Sequence, residues 1–328
     1  MPELNLTIDR ARLDQVRHGT TVVTTEPAVF RVTGSGALTC LQGLLTNDLV
    51  KPGDGSLVYG AMLTPKGMIV VDAWVMRQGD ALTLVVPSTG HAAAAALFQR
   101  QLPPRLAQVT DLTGSTRAAW LLGARAFQTL AESGVGTADS AGRVVSVGGD
   151  LSPVSLGLGP ETAPFVAVAV GLAPAITVLT ERLAAAGARK GDETDLHVAR
   201  IISGWPALGV EIDERTLPQE VRYDELGGVS YTKGCYLGQE TVARLHFRGH
   251  TNRELRGLRW SGETAEGQPT VRLGEREVGV VRSTLQLNDR VLGLGVLRRE
   301  VEPGDRVSVA GRQAQVVRLP FGGEEIDG

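Results

Sequence analysis

The pattern of apolar residues changes character once along this 328-residue chain, at Arg248-Gly249-His250. Before that point strand-like and helix-like segments alternate; beyond it, short strand-like runs follow one another with no helix between them. A chain broken in this way builds at least two bodies, an α+β region and an all-β tail. The length agrees, since it exceeds the roughly 100–200 residues of one ordinary domain.

Residues 28–32 read as a strand, closed by Gly34-Ser35-Gly36 before a helix carrying Leu38, Leu41, Leu44 and Leu45, which Thr46-Asn47-Asp48 ends. Residues 56–64 and 68–77 read as a hairpin turning at Pro65-Lys66-Gly67, where proline fixes one turn residue and glycine permits positive φ. A third strand at 81–87 and an Ala-rich helix at 89–101 follow. From Val109 the pattern recurs: strand 117–122, helix 123–132, strands 144–147 and 165–170, then helix 175–186, for which Gly187 is a C-terminal cap. Helix 192–203 leads to Gly204-Trp205-Pro206. Two α+β lobes of split βαβ type are expected, at about 1–108 and 109–250. The tail, 251–328, has strands expected at 255–260, 270–273, 278–283, 291–297 and 307–317 and reads as a small antiparallel β-barrel or sandwich.

Hydrophobic residues at 42% and charged residues at 21% are ordinary for a globular protein, which excludes a disordered or fibrous chain. A net charge of −3 provides no global reason to expect nucleic acid or an anionic membrane as partner. Met1 to Thr7 lacks a basic region followed by an apolar run, and the longest apolar stretch, 163–179, is interrupted by Pro164, Gly171 and Pro174. The expectation is a cytoplasmic protein without membrane contact, with nothing demanding more than a monomer.

Two cysteines make no disulfide framework, so each thiol needs its own explanation. Cys40, among apolar residues at helical spacing, reads as a small buried hydrophobe. Cys235 stands in Lys233-Gly234-Cys235-Tyr236-Leu237-Gly238-Gln239-Glu240. A thiol of pKa about 8.5 becomes an effective thiolate only near cations or a helix N-terminus. Residues 237–245 are helix-compatible, with Leu237, Val242 and Leu245 near one face, which puts Cys235 at or just before the first turn. Lys233 is two residues away, and Arg244, His246 and Arg248 lie downstream. The competing reading is a buried filler in a tight, glycine-flanked turn. One cysteine with His246 and His250 has no CxxC partner, so no metal or iron-sulfur site is expected from this chain alone.

The stretch 233–240, followed by Val242-Ala243-Arg244, resembles the signature of the YgfZ family, folate-binding relatives of the glycine-cleavage T-protein (aminomethyltransferase) that act in iron-sulfur cluster maintenance. Other landmarks run in the same order: Leu41 to Asp48, Leu63-Thr64-Pro65-Lys66-Gly67, Gly204-Trp205-Pro206, Gly209 to Asp213, Leu217-Pro218-Gln219-Glu220 and Leu319-Pro320-Phe321. The resemblance implies a T-protein-like α+β fold: two ferredoxin-like lobes around a central folate channel, plus a C-terminal barrel. It implies tetrahydrofolate or a one-carbon derivative as cofactor, and iron-sulfur enzymes or cluster-assembly proteins as partners.

By the same resemblance, Asp72, counted from Gly67, contacts folate. Gly234, Tyr236, Gly238, Gln239, Glu240, Arg244 and Arg248 are grouped with it as folate-binding residues, Arg244 and then Arg248 for the glutamate tail. Cys235 is the functional thiol and Lys233 the cation that favours its thiolate. One departure stands out. T-proteins have a pterin-holding glutamate where this chain has Ile202, and isoleucine offers no acceptor. The expected function is a tetrahydrofolate-binding accessory protein for assembly or repair of iron-sulfur clusters. The alternatives are an aminomethyltransferase using Asp72, against which Ile202 speaks, and a folate-binding module without thiol chemistry.

Overall fold

The computed structural model describes residues 4–148, 153–264 and 267–327; Met1 to Glu3 of the N-terminal reading lie outside them. The chain opens with β1 (Leu4–Ile8), α1 (Arg10–His18), β2 (Thr21–Thr25), β3 (Ala28–Thr33), α2 (Ala37–Gln42), β4 (Ser56–Leu63), β5 (Ile69–Gln78), β6 (Ala81–Val86) and α3 (His91–Gln101). Next come β7 (Gln108–Asp111), β8 (Thr116–Leu122), α4 (Ala126–Glu132), β9 (Val144–Val147), β10 (Val154–Leu158), β11 (Ala167–Leu172), α5 (Ala173–Ala185), β12 (Arg189–Gly191) and α6 (Glu193–Ile202). The remainder is α7 (Gln239–Arg248), β13 (Arg253–Ser261), β14 (Thr270–Leu273), β15 (Arg276–Leu287), β16 (Arg290–Arg298), β17 (Arg306–Val309), β18 (Arg312–Val317) and α8 (Gly323–Asp327).

Three sheets result. One lobe has the order β4-β5-β6-β3-β7 and the other β12-β2-β8-β11-β10-β9. The third sheet closes: β13 to β18 form a ring sealed by the β15–β16 pairing, and β1 lies parallel to the last residues of β15. Closure removes the exposed edges that six short strands otherwise present. The expected division near residue 108 cuts across these sheets, because β1 joins the barrel, β2 the second lobe and β7 the first. Local periodicity marks a strand but not its partner; Val22 and Val23 are buried on both faces of β2 and fit any sheet interior. The run expected at 307–317 is a hairpin, β17 and β18, turning at Ala310-Gly311, where both residues have positive φ.

The two-residue period of the lobe strands decides what faces what. In β5, Val71, Ala73 and Val75 pack under α2 and α3 with Phe30, Leu41 and Phe98, while Trp74 and Met76 face the other way, into a central core. In β8, Ala119 and Leu121 pack under α5, while Ala118, Trp120 and Leu122 enter the same central core. Both sheets are therefore buried on two faces. Asp72 alternates with Trp74 and must point inward. α6 starts at Asp192, whose side chain accepts from Thr194 N while the Asp195 carboxylate accepts from Asp192 N. Its far end carries Arg200, which donates to Glu211 Oε2 at 2.9 Å and to Ser283 Oγ of β15 at 2.8 Å, fixing the barrel against the lobes. Among the described residues no helix is long and apolar enough to cross a membrane.

Candidate functional site

Asp72 is 5% exposed, the sole carboxylate among the inward residues of β5. The Tyr59 hydroxyl, from neighbouring β4, donates to Asp72 Oδ2 at 2.8 Å. The Tyr59 and Tyr223 oxygens are also 2.8 Å apart, and with Tyr59's single proton on Asp72 the Tyr223 hydroxyl donates to Tyr59. Asp72 Oδ1 has no hydrogen-bond partner. Burial raises the Asp72 pKa to about 6, outweighing the Tyr59 bond, which lowers it. Burial likewise pushes both tyrosine hydroxyls well above their ordinary range.

Aromatic rings pack around the Tyr59 that holds this carboxylate. Trp74 and Trp205 stack at 5.6 Å, Tyr59 lies 4.7 Å from Trp205, and Phe165 meets Trp74 and Trp120 edge-on at 4.9 Å each. Phe165 is also a wall of an adjoining cavity of about 310 Å³ lined by Ala199, Ile202 and Ser203. A buried acceptor without a donor costs about 1–3 kcal/mol, so the lone Asp72 oxygen marks the point in this ring cluster where an N–H or O–H donor would be gained.

Cys235 belongs to a different environment. It is free and exposed, and α7 begins only at Gln239, so the thiol stands clear of the helix's first turn. The glycines explain the loop. Gly238 has φ 83°, and a Cβ there would lie 2.4 Å from Thr64 O; Gly67, at φ 88°, would place one 2.9 Å from Thr241 Cβ. The β4–β5 turn and the start of α7 thus touch backbone to backbone, which only glycine allows. Lys233 Nζ donates to the carbonyls of Gln42 and Leu45 at 2.6 Å and of Asn47 at 2.9 Å, and lies 5.0 Å from the Tyr236 ring centroid. Burial lowers its pKa to about 8, with Asp48 opposing. Its ammonium is thus engaged at the end of α2 and is not a free cation beside the thiol.

Gln239 Oε1 accepts from Tyr236 N at 3.0 Å, and the buried Tyr236 hydroxyl is raised to about 12. Gly234, Glu240, Arg244 and Arg248 are exposed. His246 stacks on Tyr231 at 3.6 Å, and His250 is exposed beyond the helix end. No group of three or more His, Cys, Asp or Glu able to hold a metal occurs among the described residues.

The residues singled out in the sequence therefore fall into two sets: Asp72 in the buried aromatic cluster, and Lys233 to Glu240 with Arg244 and Arg248 on the loop and α7. Tyr59, Tyr223 and Phe165 are members of that cluster that sequence reasoning missed. For Tyr59 a signal existed, a polar-tipped ring two positions from Ala61 in a strand that is otherwise wholly apolar on that face. Residues 11–141 match the family model described as the GCVT N-terminal domain. The chain is 34% identical over 136 residues to the tRNA-modifying protein YgfZ of Cronobacter sakazakii, and 38% over 127 residues to that of Edwardsiella ictaluri. Those matches cover 38% and 37% of this chain and span 41% and 38% of the relatives, about two fifths of their length. An aminomethyltransferase of Rubrobacter xylanophilus is 27% identical over 302 residues, covering 88% of this chain and 79% of that protein. The glycine cleavage system aminomethyltransferase T from Bartonella henselae superposes with a TM-score of 0.81 over 95% of this chain and 89% of that one, at 18% identity. The T-protein-like fold and the likeness to YgfZ proteins read from the motif at 233–240 are both thereby shown.

Proposed function

We propose that this protein binds tetrahydrofolate or a one-carbon derivative at Asp72 and presents Cys235 as a functional thiol in support of iron-sulfur enzymes. The observation that carries the reading is Asp72 Oδ1, a buried carboxylate oxygen without a donor inside an aromatic enclosure. A pterin suits that chemistry: its ring N–H groups supply the missing donor, and its flat ring system packs well against aromatic side chains. When bound, the folate supplies a carrier for one-carbon units. Asp72 orients it, Tyr59 and Tyr223 hold the carboxylate, and the aromatic walls exclude water.

Cys235 sits outside that enclosure, where a partner protein can reach it. The thiol's role is to contact a client, and the GCVT-type chamber supports it. The tRNA modification in the relatives' name is assigned here to such a client, because a chain of net charge −3 is a poor holder of RNA. The same reading has the protein working in the cytoplasm as a monomer. Aminomethyl transfer is not favoured: Ile202 lines the cavity beside Phe165, and its side chain offers no acceptor for a pterin.

The test is calorimetric titration with tetrahydrofolate, together with Cys235→Ala in a host lacking its own copy. Asp72→Ala is expected to weaken folate binding by about tenfold to a hundredfold, the worth of a buried charged hydrogen bond. Unchanged affinity would remove folate from the chamber. Full restoration of iron-sulfur enzyme activity by Cys235→Ala would reduce the loop to scaffolding.

A further inference from the structure

The segment 42–48, between α2 and β4, runs along the segment 227–237 through a series of hydrogen bonds. Asn47 Nδ2 donates to Gly227 O and Thr46 Oγ1 to Gly228 O, both at 2.6 Å, and Ser230 N donates to Thr46 O at 3.0 Å. Lys233 Nζ takes three carbonyls of the same segment, and Leu237 N donates to Gly43 O at 3.0 Å. The residues that grip the loop also grip the chamber. Asn47 Nδ2 donates to Tyr59 O at 2.8 Å, and the fully buried Thr46 Oγ1 accepts from Ala61 N at 2.9 Å. Tyr59 is the residue whose hydroxyl holds Asp72, and the backbone of its partner Tyr223 accepts from Gly228 N at 2.8 Å. The far end of the loop rests on the β4–β5 turn through Gly67 and Gly238, five residues before Asp72.

We infer that Thr46, Asn47 and Lys233 are positioning residues: they clasp the Cys235 loop to the strand that carries Tyr59, so that a ligand on Asp72 and the freedom of the loop are linked. The identity of that ligand rests on the function proposed above. Apart from the exposed Asn47–Gly227 bond, the clasp consists of buried or half-buried polar atoms that lose their partners if the loop lifts, so the loop is held by many small terms that fail together. A ligand that immobilises Asp72, Tyr59 and Tyr223 removes motion from both ends of the clasp, and linkage makes the effect reciprocal. Lys233 in this arrangement acts on Cys235 through the backbone.

The experiment is amide hydrogen exchange on the full-length protein, following peptides that cover 227–238, with and without tetrahydrofolate. Thr46→Val, Asn47→Ala and Lys233→Met are each expected to speed exchange there by about tenfold while barrel peptides keep their rates, and Lys233→Arg to restore part of the protection. In the wild type, tetrahydrofolate slows exchange across 227–238 and changes the rate of Cys235 alkylation. In Asn47→Ala the heat of folate binding persists while both responses vanish. Wild-type folate binding with no change at 227–238, or wild-type exchange rates in Lys233→Met, overturns the inference. Absence of any heat with tetrahydrofolate sinks the proposed function instead, and the clasp is then judged on the unliganded variants alone, unchanged rates overturning it.

Discussion

The Asp72 chamber and the Cys235 loop hold their functional groups in opposite ways. Asp72 is held by side chains, a wall of rings and one tyrosine hydroxyl, in a dry interior that penalises its charge. Cys235 is held by backbone: glycine contacts and carbonyls gripping Lys233 shape the loop, while the sulfur itself remains exposed. The chamber stores an unfavourable term, a charge with a missing donor, which a ligand can relieve. The loop stores none at the thiol and invests in its shape. A binding pocket needs the first arrangement; a group offered to another macromolecule needs the second.

Trp205→Ala is the severest way to break the chamber. Trp205 is 4% exposed, stacked on Trp74 and packed against Tyr59 at a tilt, so its removal is expected to cost about 3–5 kcal/mol in denaturant unfolding. On the loop side the counterpart is Gly238→Ala, expected to cost about 3 kcal/mol, because the new Cβ meets the Thr64 carbonyl at 2.4 Å in a left-handed residue. A loss under about 0.5 kcal/mol would show that the loop is not held by backbone contact.

Asp72→Asn should have the opposite sign. The pKa of about 6 lies above the ordinary 3.8, so the native state binds this proton more tightly than the unfolded chain does. The associated stability is complete below about pH 4, is lost as pH rises to 6, and stays lost above it, a difference of up to about 3 kcal/mol. Asn removes the penalty, so the variant is expected to gain on the wild type between pH 4 and 6, hold the advantage at pH 8, and bind folate less well. Equal stability of the two proteins at pH 5 and pH 8 would contradict the raised pKa. The smallest effect is expected from Cys235→Ser, within about 0.5 kcal/mol of the wild type, since the side chain is exposed. A larger loss would mean that the sulfur packs, and the contrast between the two regions would collapse.

Much of this was legible beforehand. The β4–β5 hairpin turns at Pro65-Lys66-Gly67 as proline and glycine require, and α5 ends at Ala185, two residues before Gly187 at φ 96°. The motif at 233–240, with the other landmarks in the same order, carried the family likeness. The start of α7 was harder to place, because the helical pattern from Leu237 extends into a stretch whose conformation is dictated by the β4–β5 turn, far away in the chain.

What the sequence determined by itself is what depends on neighbours in the chain: strand periods, turn glycines and the break in pattern near residue 250. Tertiary structure alone decided what lies across from those faces. It brought Trp205 and Tyr223 against β4 and β5, carried β1 to the barrel and β2 to the second lobe, and turned Lys233 from the thiol to the carbonyls that end α2. The physical reason is that burial and hydrogen-bond partnership are properties of pairs distant in sequence, which no local period encodes.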